Sequence, residues 1–280
     1  MANTITLEQI QGFRAHLHRE ERAPGTIEKY LRDVRSFAAW LGEREISKEV
    51  VASWKEHLML FGYDAGTVNV KLAAVNAFLR FIGREEYRVK SLKRQRRVFR
   101  DSSRELTRAE YERLLETARA LDRTRLELLM ETICATGIRV SEVRYITVEA
   151  AQRGRTEISL KGKIRTILLP AKLCRKLLKY AKKQKIVSGE LFLTRNGKPL
   201  SRRQIWAEMK QICKYARVDS SKVFPHNLRH LFATAFYRAC KDIAKLADVL
   251  GHSSIETTRI YLLTSGTEHQ RQLDRMGLVS

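Results

Sequence analysis

The sequence predicts a mainly α-helical chain in two parts: a small four-helix bundle, then a larger helical domain interrupted by a β-hairpin. Three observations predict it. Apolar residues recur at helical spacing along most of the 280 residues. At residues 156–169 the period changes to two, as in a strand pair. Charge divides the chain as well: residues 1–87 hold 12 Lys+Arg against 12 Asp+Glu, whereas residues 88–280 hold 42 against 19 and so carry the whole net charge of +23.

The elements follow in order. Leu7, Ile10, Phe13 and Leu17 form a first apolar stripe. After Pro24-Gly25-Thr26, a second runs through Ile27, Tyr30, Leu31, Val34, Phe37, Ala38 and Leu41. Val50, Val51, Trp54, Leu58 and Phe61 form a third, stopped by Gly62; Val68, Leu72, Val75, Phe78, Leu79 and Ile82 form a fourth, stopped by Gly83. Four amphipathic helices with short connections make a bundle over residues 1–87. Residues 88–103 read as a basic linker, because Arg88, Lys90, Lys93, Arg94, Arg96, Arg97 and Arg100 come without apolar periodicity. Such a strap suits a DNA backbone.

The second domain covers residues 104–280. Thr107-Arg108-Ala109-Glu110 is a capping box before a face of Tyr111, Leu114, Leu115, Ala118 and Leu121. Leu126, Leu129, Met130 and Ile133 mark the next helix, ending at Gly137. Thr156 to Leu160, the turn Lys161-Gly162-Lys163, and Ile164 to Leu169 read as a hairpin closed by Pro170. Helices are expected at 171–185, at 201–216 behind the box Ser201-Arg202-Arg203-Gln204, and at 226–240, 242–250 and 254–263. Leu191-Phe192-Leu193-Thr194 with Asn196-Gly197 suggests one more short strand.

Composition excludes several classes of protein. At 44% hydrophobic residues the chain can bury a core, so it is not a disordered basic tail. Cys134, Cys174, Cys213 and Cys240 match no zinc spacing and no disulfide framework, which points to a reducing, cytosolic home. Met1 to Phe13 lacks the pattern of a signal peptide, and no run approaches the roughly 18 apolar residues of a membrane span. A basic excess confined to one segment attracts a polyanion by phosphate contacts and counterion release, and exceeds what solubility requires. Nucleic acid is the expected partner.

Three segments carry candidate chemistry. In Thr136-Gly137-Ile138-Arg139-Val140-Ser141-Glu142, Arg139 falls in the turn between two helices, where it can fork onto phosphate oxygens, and Glu142 can orient it. In Phe224-Pro225-His226-Asn227-Leu228-Arg229-His230, His226 and Arg229 share a polar helix face, while Leu228, Leu231, Phe232 and Ala235 turn to a core. In Leu250-Gly251-His252-Ser253-Ser254, the glycine stops one helix and the serines cap the next, which carries Tyr261. Singly, each is an ordinary surface or packing residue.

As an ordered set, Arg139, the hairpin lysine, His226-x-x-Arg229, and Gly251-His252 with Tyr261 nine residues later resemble the tyrosine recombinase (phage-integrase) family over nearly the whole chain. The resemblance implies an N-terminal core-binding (SAM-like) bundle and a C-terminal catalytic domain. It implies that Tyr261 attacks the scissile phosphate, giving a 3′-phosphotyrosyl link and a free 5′-hydroxyl. Arg139 and Arg229 would clamp the non-bridging oxygens. His252 would donate a hydrogen bond to the transition state and His226 would accept the tyrosine proton. The hairpin lysine, aligned with Lys161 and with Lys163 as its rival, would protonate the leaving 5′-oxygen. No metal and no ATP are implied, since arginines supply the cationic charge and the phosphotyrosine conserves the bond energy.

The family pattern at the hairpin, Gly-Lys-Gly-x-Lys-x-Arg, is here Leu160-Lys161-Gly162-Lys163-Ile164-Arg165, one residue shorter. The nucleophile is followed by Leu262-Leu263 rather than Thr-His. Both departures favour the integrase of a mobile element over a Xer-type recombinase that resolves chromosome dimers. A DNA-binding regulator that kept the fold without the chemistry is the reading from a different class. The resemblance further implies double-stranded DNA as partner, a homotetramer on two DNA sites joined through the C-terminal segment (Leu273, Met276, Leu278), no membrane, and a bacterial cytoplasmic setting on the nucleoid.

Overall fold

Side chains that satisfy the free N–H groups of a first helical turn decide where most helices begin. The structure, a computed structural model, describes residues 5–93, 102–160, 163–261, 270–271 and 274–276, with Ser102, Leu160 and Lys163 described by backbone alone. The chain forms two compact units, Met1–Arg96 and Arg97–Ser280.

In the first unit, Thr6 and Gln9 form a reciprocal capping box that opens α1 (Leu7–Arg19). Pro24, at a position where no N–H is needed, opens α2 (Pro24–Leu41). Ser47 caps α3 (Lys48–Leu60) and Asp64 caps α4 (Ala65–Phe81). The expected stripes meet in the middle. Phe13, Ile27, Leu31, Val34 and Phe78 form one end of the core, and Phe37, Trp54, Leu72, Val75 and Leu79 the other. Leu7 and Phe61 depart from their stripes: both are exposed, Leu7 as the first residue of α1 and Phe61 just past the end of α3.

Residues 94–101 of the expected linker lie outside the described residues. Its start is held to the first unit. Asn76 on α4 accepts from the Val89 N–H and donates to its carbonyl, and Asn69 does the same for Leu92. Val89 and Leu92 thereby pack on the bundle core.

The second unit is built around α6 (Thr124–Thr136), whose Leu126, Leu128, Leu129, Met130 and Ile133 are all buried. It packs against α5 (Arg108–Ala120), α8 (Ala171–Gln184), α9 (Arg202–Ala216) and α10 (Pro225–Cys240). Both boxes read from the sequence are formed, Thr107 with Glu110 and Ser201 with Gln204. A six-residue 3₁₀ turn, Val140–Tyr145, follows α6, and the short helix α7 (Val148–Arg153) precedes the hairpin. Strands β1 (Arg155–Leu160) and β2 (Lys163–Leu168) are antiparallel, with Ile158 opposite Arg165 and Thr156 opposite Ile167. Alternation turns Thr156, Ile158, Arg165 and Ile167 inward. α11 (Ile243–Leu250) and α12 (Ile255–Arg259) follow α10.

Two expectations change here. The stretch 191–197 is not a strand but two isolated bridges, Thr147 with Glu190 and Leu193 with Pro199, because a tight turn from Thr194 to Lys198 leaves it no length to pair. The last expected helix stops at Arg259, so Tyr261 sits in the turn after α12 rather than on the helix. Of the C-terminal segment, Leu273 and Leu278 lie outside the described residues and Met276 is exposed.

Candidate active site

Two helix ends and one helix start converge in the second unit. Gly137 closes α6 with φ +65°, and Gly251 closes α11 with φ +63°, a left-handed conformation that glycine adopts without strain. The start of α10 is pinned by Asn227, which donates to the carbonyls of Arg104 and Lys222. Arg229, one turn along α10, then reaches both closed ends. It donates to the carbonyl of Gly137 and, at 2.8 Å, to that of Leu250. These are the negative ends of two helices, which favour a cation. Arg229 is only 3% exposed, so the shared polar face expected from sequence is buried at the arginine and open at His226. Leu228 is buried as expected, whereas Ala235 is exposed.

Arg139 caps the 3₁₀ turn. Its N–H donates to Glu142 Oε2 at 2.7 Å, its Nη1 to Glu142 Oε1 at 3.0 Å, and its Nη2 to the Gly251 carbonyl at 3.3 Å. Glu142 does orient Arg139, and it does more. It is 2% exposed and also receives Arg165 Nη2 at 2.5 Å, so one buried carboxylate holds two guanidinium groups. Burying a carboxylate is tolerable when opposite charges and hydrogen bonds satisfy its oxygens.

His252 follows the α11 turn. Its Nε2 lies 2.9 Å from Arg229 Nη2 and its Nδ1 lies 2.9 Å from Thr258 Oγ1. A guanidinium only donates, so Nε2 accepts and Nδ1 carries the proton to the threonine. The electrostatics agree. Burial, then the charges of Arg229, Arg139 and Arg165, lower the His252 imidazole to about 4. Desolvation, then Arg229 and Arg139, hold His226 below its ordinary value. Both rings are therefore neutral at pH 7. Burial and the Arg139 charge also bring Arg229 down to about 10, which the adjacent Tyr261 hydroxyl opposes.

Tyr261, 3% exposed, stands among three imidazoles. The His252 ring stacks on it at 6.0 Å, His230 meets it edge-on at 5.0 Å, and His226 lies tilted at 6.5 Å. Its N–H donates to the Thr258 carbonyl, and its ring packs with Ala233, Leu246 and Leu250. The structure thus brings Arg139, His226, Arg229, His252 and Tyr261 together. Lys161 lies outside the described residues; Lys163 begins β2, and its side chain is likewise outside them.

Three neighbours were not assigned a role from sequence. Arg165 had a signal, since strand alternation puts it on the same side as buried Ile167. His230 had one too, four residues after His226 on the same helix. Thr258, buried beneath His252, had none. Among the described residues no group of three or more His, Cys, Asp or Glu side chains could hold a metal ion, and no helix is long and apolar enough to cross a membrane.

An arrangement of a buried arginine (Arg229), a half-exposed one (Arg139), neutral histidines and a tyrosine suits the chemistry of a phosphodiester. The model of the Phage integrase family matches residues 104–266, and that of the Phage integrase N-terminal SAM-like domain matches residues 10–86. The tyrosine recombinase XerA of Thermococcus kodakarensis is 30% identical over 272 residues, covering 95% of this chain and 93% of the relative. The tyrosine recombinase XerC of Roseiflexus castenholzii is 30% identical over 278 residues, covering 91% and 88%. Among solved structures, a lambda integrase(75–356) dimer bound to a COC′ core site shares the fold with a TM-score of 0.73 at 17% identity, covering 93% of this chain and 96% of that one. XerH bound to its difH substrate shares it with a TM-score of 0.68 at 21% identity, covering 88% and 78%.

Proposed function

Since this chain belongs to the phage integrase family of tyrosine recombinases, an enzyme family that cleaves and rejoins DNA in site-specific recombination, we propose that Tyr261 is its nucleophile. The observation that carries the reading is the convergence on Tyr261 of two histidines held neutral and of Arg229, with Arg139 alongside. A tyrosine has an ordinary pKa near 10 and is a weak nucleophile at neutral pH without a base and cations nearby.

In the proposed step, Tyr261 Oη attacks the scissile phosphorus and its proton passes to neutral His226. Arg139 and Arg229 take the non-bridging oxygens, where negative charge grows. The P–O5′ bond breaks, and the 5′-oxygen takes its proton from the hairpin lysine, Lys161 or its rival Lys163. A 3′-phosphotyrosyl link and a 5′-hydroxyl result, and rejoining is the same sequence reversed. As a donor to the phosphate, His252 needs a proton on Nε2. Once Arg229 turns to the phosphate, the ring loses its Nδ1 proton to water and takes one at Nε2 from water, and the Thr258 hydroxyl then reverses its hydrogen bond to donate to the bare Nδ1.

Double-stranded DNA is the partner, and a homotetramer on two sites through the C-terminal segment is the assembly proposed, with the bacterial nucleoid as its setting. The shortened hairpin and Tyr261-Leu262-Leu263 support a mobile-element integrase. Relatives named XerA and XerC over nearly the full length support the second reading, a Xer-type recombinase.

The deciding experiment is covalent capture. Wild type and Tyr261→Phe are incubated with fragmented host DNA, denatured, and the protein-linked fragments sequenced. Fragments joined by their 3′ ends to wild type alone are expected, and their location (element ends or a chromosomal site) separates the two readings. Tight binding without capture by either protein would favour the silent regulator.

A further inference from the structure

Arg165 lies on β2 opposite Ile158, and its side chain is 14% exposed. It ties three elements to one another. Nη2 donates to Glu142 at 2.5 Å, on the 3₁₀ turn that Arg139 caps. Nη1 donates to the Val249 carbonyl at 3.0 Å, in the last turn of α11. The stem lies against Gly251, where a Cβ would come within 2.5 Å of Arg165 Cδ. Glu142 binds Arg139 with its other oxygen, and Arg139 binds the Gly251 carbonyl, so the loop of contacts closes.

The proposed step places Arg139 and Arg229 on the phosphate and leaves Arg165 without a part in it. Both of its Nη groups are committed to protein oxygens, and its Nε is buried with no partner among the described residues. Loss of water, with a further contribution from the Arg139 charge, lowers its pKa, and the Glu142 carboxylate opposes the shift. Burial of Thr156, Ile158 and Ile167 already seats the hairpin on the core of the unit, and its strands pair along their full length without Arg165. The anchor fixes something else: where the hairpin stands relative to Arg139 and His252.

We infer that Arg165 is a positioning residue for protonation of the leaving group. It holds β2 against the corner formed by Glu142 and Gly251, and so sets where the hairpin presents its lysine, Lys161 or Lys163, relative to Arg139. This rests on the proposed reading, in which the hairpin lysine is the acid. It assigns a role to a residue that touches no substrate.

The test separates leaving-group protonation from every other contribution. The substrate is a duplex with the site recovered by covalent capture, carrying at the scissile position either the ordinary 5′-oxygen or a 5′-bridging sulfur. In both, attack forms the Oη–P bond. Oxygen leaves with a proton from lysine, whereas sulfur leaves as a thiolate with the bonding electron pair and no proton. Arg165→Ala is expected to slow cleavage of the oxygen substrate about 10²-fold, the scale of a lost general acid. On the sulfur substrate it is expected to cleave within about threefold of wild type. Arg165→Lys keeps the charge and the stem but cannot span Glu142 and Val249, so it should show the same pattern and serves if Arg165→Ala fails to fold. Equal slowing on both substrates, or none on oxygen, overturns the inference. Lys161→Ala and Lys163→Ala test the underlying reading: if neither is rescued by sulfur, the lysine assignment fails, whereas rescue of a lysine variant without rescue of Arg165→Ala sinks only the positioning role.

Discussion

At the scale of single residues, the arginines of the candidate site are tied to groups from several elements. Arg229 satisfies two helix-end carbonyls as well as His252, so its replacement leaves buried acceptors unpaired. Arg229→Ala is expected to lower the cleavage rate about 10²–10³-fold, near 3–4 kcal/mol of transition-state stabilisation, measured as single-turnover formation of the protein–DNA adduct. Tyr261→Phe should abolish the adduct while shifting DNA affinity little; a matching loss of affinity would sink the nucleophile assignment. His252 gives a pH dependence of stability. Its folded pKa, about 4, lies below the ordinary value of 6.5, so between these pH values the unfolded chain binds more protons. Stability therefore falls as pH drops through that window. His252→Gln should flatten the fall, read from urea midpoints at pH 7 and pH 5. The candidate residues themselves were legible because their types and order are unusual. The tautomer of His252 was not, since it depends on an arginine 23 positions earlier in the chain.

At the scale of elements, turns and caps locate the chemistry. Gly251 holds a left-handed turn and gives Arg165 room, so Gly251→Ala meets both backbone strain and a clash. We expect a stability loss on the order of 2 kcal/mol or more. Gly251→Ala combined with Arg165→Ala should lose less than the sum of the two, because the clash is gone; strict additivity in urea unfolding would contradict the contact. Helix starts were readable wherever a local rule suffices. The boxes at Thr107 and Ser201 need only residues three apart. The end of α12 was not readable, because Tyr261 leaves the helix to pack with Ala233, Leu246 and Leu250, which lie far from it in sequence. The stretch 191–197 had the composition of a strand and no neighbour of sufficient length to pair with.

At the scale of the whole molecule, charge and core are divided differently between the two units. Residues 1–87 balance their charges, and the first unit closes a small core around Phe13, Phe37, Trp54 and Phe78. The second wraps its helices around α6, and the basic excess falls in residues 88–280. Binding to DNA should accordingly depend steeply on salt. With 6–10 phosphate contacts, affinity falls about 10³–10⁵-fold between 50 and 200 mM salt. Filter binding or anisotropy with the full chain would measure the slope, and a shallow one would remove phosphate neutralisation as the main source of affinity.

The sequence by itself determined the helical class, the position of the hairpin, the division of charge and the ordered candidates from Arg139 to Tyr261. Each rests on a short-range rule: periodicity, capping, composition or the order of unusual residues. Only the tertiary structure decided that Arg229 is buried while His226 is open, that His252 accepts from an arginine, and that Glu142 holds Arg139 and Arg165 at once. Those facts depend on contacts between residues up to 92 positions apart, as between Arg229 and Gly137. Local pattern places a side chain on a face of its own element. What that face meets, and hence which charges stay hydrated and which nitrogen carries a proton, is fixed when distant elements pack together and exclude water.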